Sequence, residues 1–144
     1  MKKFTTLRKN QTQKLGELLA KELGGGKIIC LSGDLGSGKT TFTQGLLRGL
    51  KIKGPYTSPT FVVMKHYKKK ILNSKSKTLN IYHIDAYRIT SKDLLELGWE
   101  EITRDKNNII IIEWAKRVKK IIPPDALWID FKWTDKNRRE IKLT

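Results

Sequence analysis

The segment Gly33-Asp-Leu-Gly-Ser-Gly38-Lys39-Thr40 fits the pattern G-x-x-x-x-G-K-[ST], and its two flanks give the match its meaning. Before it runs Lys27-Ile-Ile-Cys-Leu-Ser32, short, branched and apolar without alternation, which reads as a strand covered on both faces. After it, residues 39–50 place Phe42, Leu46 and Leu50 on one stripe of a helix. Between a buried strand and a helix, the glycines let successive N–H groups turn inward as an anion nest. The first turn of the helix adds a partial positive charge of about 0.5. The candidate phosphate contacts are therefore Asp34, Gly36, Ser37, Gly38, Lys39, Thr40 and Thr41, with Lys39 reaching the β and γ phosphates of a nucleotide and the Thr40 hydroxyl joining a Mg²⁺ shell. The competing reading, a glycine-rich turn that matches by chance, does not account for the flanking elements.

The rest of the chain continues the alternation. Leu15, Leu18, Leu19 and Leu23 recur at helical spacing after Asn10-Gln11-Thr12, and Gly24-Gly25-Gly26 supplies a stop. Thr60 to Lys69 and Thr78 to Arg88 read as strands that pair as a hairpin around a lysine-rich loop. Leu94, Leu95, Leu97 and Ile102 suggest short helices broken at Gly98, and Asn108-Ile-Ile-Ile-Ile-Glu113 is a second uniformly apolar strand. A short helical stretch ends at Pro123-Pro124, after which Leu127 to Trp133 and Glu140 to Leu143 form a closing antiparallel pair. The expectation is an α/β fold: one domain over residues 1–144, with a mostly parallel central sheet, antiparallel additions and flanking helices.

Magnesium held by a phosphate loop calls for an acid at the C-terminal end of a neighbouring strand, because the loop lies at that edge. Glu113 closes the isoleucine strand and Asp85 closes Leu79-Asn-Ile-Tyr-His-Ile84. Either carboxylate could instead cap the element that follows. In Ser58-Pro59-Thr60-Phe61 the proline fixes one φ and holds Ser58 extended, so Thr60 is displayed either as a sensor of a γ-phosphate or in a plain turn into the next strand. Trp114 is a core aromatic or a wall beside the nucleotide.

Thirty Lys+Arg against fourteen Asp+Glu give a net charge of +16, a surface that attracts polyanions. Lys65, Lys68, Lys69, Lys70, Lys75 and Lys77 are candidates for an edge facing nucleic-acid phosphates, and equally for an ordinary solvated surface. The longest aliphatic run, Ile109 to Ile112, is far short of the ~20 residues of a membrane span, and MKKFTTLRKN lacks the apolar stretch of an export signal. Cys30 has no cysteine to pair with, and one Cys with His66 and His83 cannot build a Cys/His zinc site. A cytoplasmic location is expected. Two rival classes stay open: a small-molecule kinase, for which 144 residues leave little chain for an acceptor pocket and lid, and a non-catalytic basic RNA-binding module, which would leave Asp85 and Glu113 unexplained.

Taken together, Thr12-x-x-Leu15-Gly16, Gly33 to Thr41, Ser58-Pro-Thr-Phe61, Tyr82-His-Ile-Asp-Ala-Tyr-Arg88, Leu97-Gly98 with Glu100-Glu101, and Glu113-Trp114 resemble the TsaE (YjeE) family, small P-loop ATPases of bacterial tRNA threonylcarbamoyladenosine synthesis. The resemblance covers nearly the whole chain in the family's order. It implies binding of ATP and ADP with Mg²⁺, and association with TsaB and TsaD in transfer of threonylcarbamoyl to adenosine 37 of ANN-decoding tRNAs. It matches Lys39 to the phosphate-binding lysine, Thr40 and Glu113 to metal ligands, Asp85 to an acid near the γ-phosphate, Thr60 to the switch threonine, and Thr12 and Arg139 to positions near the base. Asp85, Glu113 and Lys39 are thus the expected catalytic set, with slow turnover gated by a partner and Arg88 the nearest guess at an arginine finger.

Overall fold

Four consecutive isoleucines, 109–112, give a strand no polar face, so it must be covered on both sides. In the computed structural model, which describes residues 2–56, 59, 62–70 and 78–144, every residue of that strand is buried. The strands are β1 (Lys2–Thr6), β2 (Lys27–Ser32), β3 (Met64–Lys70), β4 (Thr78–Asp85), β5 (Asn108–Glu113), β6 (Leu127–Trp133) and β7 (Arg139–Leu143). The helices are α1 (Lys9–Ala20), α2 (Lys39–Gly49), α3 (Ser91–Glu96) and α4 (Trp99–Arg104), with a 3₁₀ helix over Ala115–Ile121. One seven-stranded sheet has the order β1-β7-β6-β2-β5-β4-β3. Its centre, β6-β2-β5-β4, is parallel, whereas β1 and β7 on one side and β3 on the other join antiparallel.

Helices α1 and α2 cover one face, where Phe42, Leu46, Leu47 and Leu50 pack on Ile29, Leu31, Ile109, Ile111 and Ile129. The shorter helices cover the other, with Leu94, Trp99 and Val118 against Cys30, Ile84, Ile110 and Ile112. The two helices of the first layer touch backbone to backbone: a Cβ on Gly45 would stand 1.9 Å from the Gln13 carbonyl oxygen, so only glycine fits there.

The expected hairpin, the two short helices meeting at Gly98 and the closing antiparallel pair are all present, with shifted ends. Helix α1 begins at Lys9, where Leu7 N–H donates to Gln11 Oε1 at 2.6 Å, and it stops at Ala20, four residues short of the glycines. Strand β4 ends at Asp85 rather than Arg88: past a last rung from Ala86 N–H to the Glu113 carbonyl, Tyr87 N–H turns back to the Asp85 carboxylate and Ile89 N–H to the Ala86 carbonyl. Strand β1 is an addition. Lys2 and Lys3 disguise it, because an exposed edge strand needs no apolar alternation. On β3, Lys68 and Lys70 alternate with half-buried Lys65 and Lys69, so these four divide between the two faces of the sheet, while Lys75 and Lys77 lie outside the described residues.

Candidate nucleotide site

Strand β2 delivers the chain to the carboxyl edge of the sheet and α2 carries it away, so residues 33–38 must reverse within a few bonds. Gly38 makes the last step at φ 109, a conformation that strains any residue with a side chain. Ser37 N–H closes a turn on the Asp34 carbonyl at 3.1 Å. The buried Ser37 side chain lies inside the loop, its Oγ 3.5 Å from Lys39 Nζ, while the Asp34 side chain is exposed. The Lys39 ammonium donates to the carbonyl oxygens of Gly33 and, at 2.9 Å, of Asp34, and it sits 4.1 Å from the centre of the Trp114 ring. Burial pulls its pKa below the ordinary lysine value, with Glu113, Asp34 and Asp85 acting in the opposite direction.

Sheet register brings the two acids together. Leu31 of β2 lies beside Glu113 of β5, and Glu113 lies beside Asp85 of β4, so both carboxylates stand at the edge where the loop turns. Both are buried. Glu113 does not cap the 3₁₀ helix that follows it. Its Oε1 accepts from Thr40 Oγ1 at 3.0 Å and its Oε2 is 2.6 Å from His83 Nε2. Asp85 does tie down its own turn, accepting from Tyr87 N–H at 2.9 Å through Oδ1. Trp114 adopts φ 60, which swings its ring away from the strand and over Lys39, where it tilts against Tyr87 at a centroid distance of 4.9 Å. Trp114 packs partly against the second core cluster and also lines the space beside the loop.

These groups open onto one cavity of about 340 Å³. Thr12, Gly36, Gly38, Lys39, Thr40, Thr41, Asp85, Glu113, Trp114 and Arg139 all line it. Thr12, on α1, and Arg139, at the start of β7, flank Gly38: a Cβ there would meet Thr12 Cγ2 at 3.6 Å and Arg139 Cγ at 3.9 Å. The Thr12 hydroxyl is paired with Thr6 Oγ1 at 2.7 Å, and the Arg139 guanidinium lies 5.5 Å from the Trp133 ring centre with bonds to carbonyls of its own loop. Thr60 lies outside the described residues. Arg88 is exposed and does not line the cavity. The arginines that do are Arg8 and Arg139.

Sequence reasoning missed Arg8, Lys9, Lys136 and Asn137, which close the outer rim. Nothing local marks them, because α1 and the β6–β7 turn are brought together only by the sheet. With Lys39 and Arg139 they set five cationic side chains against two carboxylates, a lining suited to a ligand of several negative charges. Thr40, Glu113 and Asp85 offer hard oxygen donors at one end of it, the type Mg²⁺ takes. Among the described residues no three His, Cys, Asp or Glu side chains form a metal cage by themselves.

The comparisons agree along the chain. The family model for threonylcarbamoyl adenosine biosynthesis protein TsaE matches residues 6–141. A protein of Bacillus subtilis (strain 168) named tRNA threonylcarbamoyladenosine biosynthesis protein TsaE is 33% identical over 142 residues, 99% of this chain and 84% of its own length. The protein of the same name from Rickettsia prowazekii is 35% identical over 133 residues, 91% of this chain and 86% of its own. The crystal structure of Bacillus subtilis YdiB superposes with a TM-score of 0.80 at 30% identity, covering 99% of this chain and 83% of that one. With the loop, the paired strand-end acids and a match running from Thr6 to Ile141, this chain belongs to the TsaE family.

Proposed function

We propose that this chain is an ATP-binding and ATP-hydrolysing component of the tRNA threonylcarbamoyladenosine machinery, one P-loop domain working in the cytoplasm with TsaB and TsaD as they modify adenosine 37 of ANN-decoding tRNAs. Family membership supports the pathway. The observation that carries the chemistry is the Thr40 to Glu113 hydrogen bond, which joins the first turn of the phosphate-loop helix to an acid on a separate strand.

The roles follow from position. Amides of residues 36–38 and the α2 N-terminus bind phosphate oxygens, Lys39 exchanges its carbonyl partners for the β and γ phosphates, and Thr41 stands at the same turn. Thr40, Glu113 and Asp85 would hold Mg²⁺, which when bound neutralises charge on the phosphates. Asp85, fixed by its bond to Tyr87 N–H, stands beside Glu113 where the γ-phosphate would point. Trp114 excludes water from one side of the loop, and Thr12 and Arg139 stand where the base and sugar would emerge; Thr60 takes the switch role the family pattern gives it. Arg139 is anchored to its own loop, a place for holding a ligand rather than for reaching into the reacting phosphate. An arginine supplied by a partner would account for slow turnover by the chain alone.

Phosphate release from ATP, measured with the chain alone and with TsaB and TsaD, tests the reading. Stimulation by the partners is the expected result, and equally fast release without them would count against it. The +16 charge supports contact with tRNA phosphates, for which filter binding across a salt series predicts a steep loss of affinity.

A further inference from the structure

His83 has no part in the scheme above. It is 2% exposed, on β4 two residues before Asp85 and on the same face of the sheet. In the register it stands between Ile111 of β5 and Lys65 of β3. One ring nitrogen, Nε2, lies 2.6 Å from Glu113 Oε2, and the other, Nδ1, is buried with no hydrogen-bond partner among the described residues. A carboxylate oxygen accepts, so Nε2 donates in this contact. An orphaned polar atom in a protein interior is costly. That cost is borne here for a single contact, the one to Glu113.

We infer that His83 is a positioning residue that holds the Glu113 carboxylate in the orientation in which it faces Thr40 and the metal end of the cavity. Glutamate has three rotatable bonds. Held by Thr40 alone, its carboxylate would swing about one anchor, whereas donors from α2 and β4 fix one oxygen each. The inference rests on reading Glu113 as the acid that faces Mg²⁺. Outer partners of metal-facing carboxylates typically account for about 10–100-fold in metal affinity.

The test compares His83→Gln, whose amide can present N–H near the place of Nε2, with His83→Asn, whose shorter amide reaches only as far as Nδ1. ADP affinity is measured by calorimetry on the full chain at graded Mg²⁺, including none, beside the melting temperature. His83→Asn should weaken the apparent Mg²⁺ affinity about 10–100-fold with Mg²⁺-free ADP affinity unchanged, and His83→Gln should restore most of it. If the Asn variant does not fold, His83→Leu, which fills the ring's volume without a donor, takes its place. Equal Mg²⁺ affinity in the Gln variant and its donor-lacking counterpart overturns the inference while leaving the site assignment intact. ADP binding by the wild-type chain that is indifferent to Mg²⁺ overturns the reading of Glu113 and the inference with it.

Discussion

Thr40 and Glu113 are 73 residues apart in sequence and share a hydrogen bond of 3.0 Å between the first turn of α2 and the last residue of β5. A hydroxyl and a carboxylate in that contact form an oxygen-lined corner beside the phosphate loop. Replacing Glu113 by Gln keeps the shape and removes the charge. Mg²⁺-dependent tightening of ADP binding should fall at least about tenfold, while Mg²⁺-free binding holds or improves. Titration calorimetry with and without the cation reads both.

Lys39→Ala removes the ammonium that bonds the loop carbonyls and leaves α2 intact, because alanine is the best helix former. Nucleotide binding should be lost by equilibrium dialysis while the circular dichroism spectrum is unchanged. Affinity equal to wild type would remove the loop from the site.

Burial holds the Lys39 pKa below the ordinary lysine value of 10.5. The charged form is what grips an anion, so the ligand-free protein loses that grip as pH rises through the lowered value. Mg²⁺-free ADP affinity should therefore decline on an alkaline limb that lies below 10.5. A limb centred at or above the ordinary value would contradict the burial described.

Cys30 is wholly buried between β5 and β6, and burial pushes its thiol up to about 12. Ellman's reagent should leave the native protein untouched and titrate one thiol after unfolding. The raised value also fixes a sign. Between 9.0 and about 12 the unfolded chain gives up this proton first, so the contribution of Cys30 to stability is intact below 9.0 and falls as pH rises through that window.

Gly45→Ala places a methyl group on the Gln13 carbonyl, a backbone atom that cannot rotate away. Separating the two helices should cost about 2–3 kcal/mol or more, and for a chain of this size each kcal/mol lowers the melting temperature by about 2–4 °C. Thermal unfolding followed by circular dichroism checks it. An unchanged midpoint would mean that the helices are not in contact there.

Much of this was legible in the chain, for reasons that differ from part to part. Lys27–Ser32 and Asn108–Glu113 announce themselves because strands covered on both faces have no polar positions to blur the pattern. The phosphate loop is legible because its geometry demands glycine and its chemistry demands Lys39 and Thr40 at fixed offsets. Asp85 and Glu113 could be named as strand-end acids, but their adjacency is a property of sheet order, which no local pattern encodes. The same holds for His83, whose partner is 30 residues away, and for Arg8 and Lys136, which share a cavity only because β1 and β7 pair. Strand β1 escaped notice because a solvated edge is not obliged to look hydrophobic.

The close seat of Gln13 on Gly45 ties together two sides of the candidate site. Thr12, next to Gln13, stands at one side of Gly38, and Lys39 begins the helix that carries Gly45. Helices seated that closely cannot slide past each other, so Thr12 and Lys39 are held in one rigid frame on either side of Gly38.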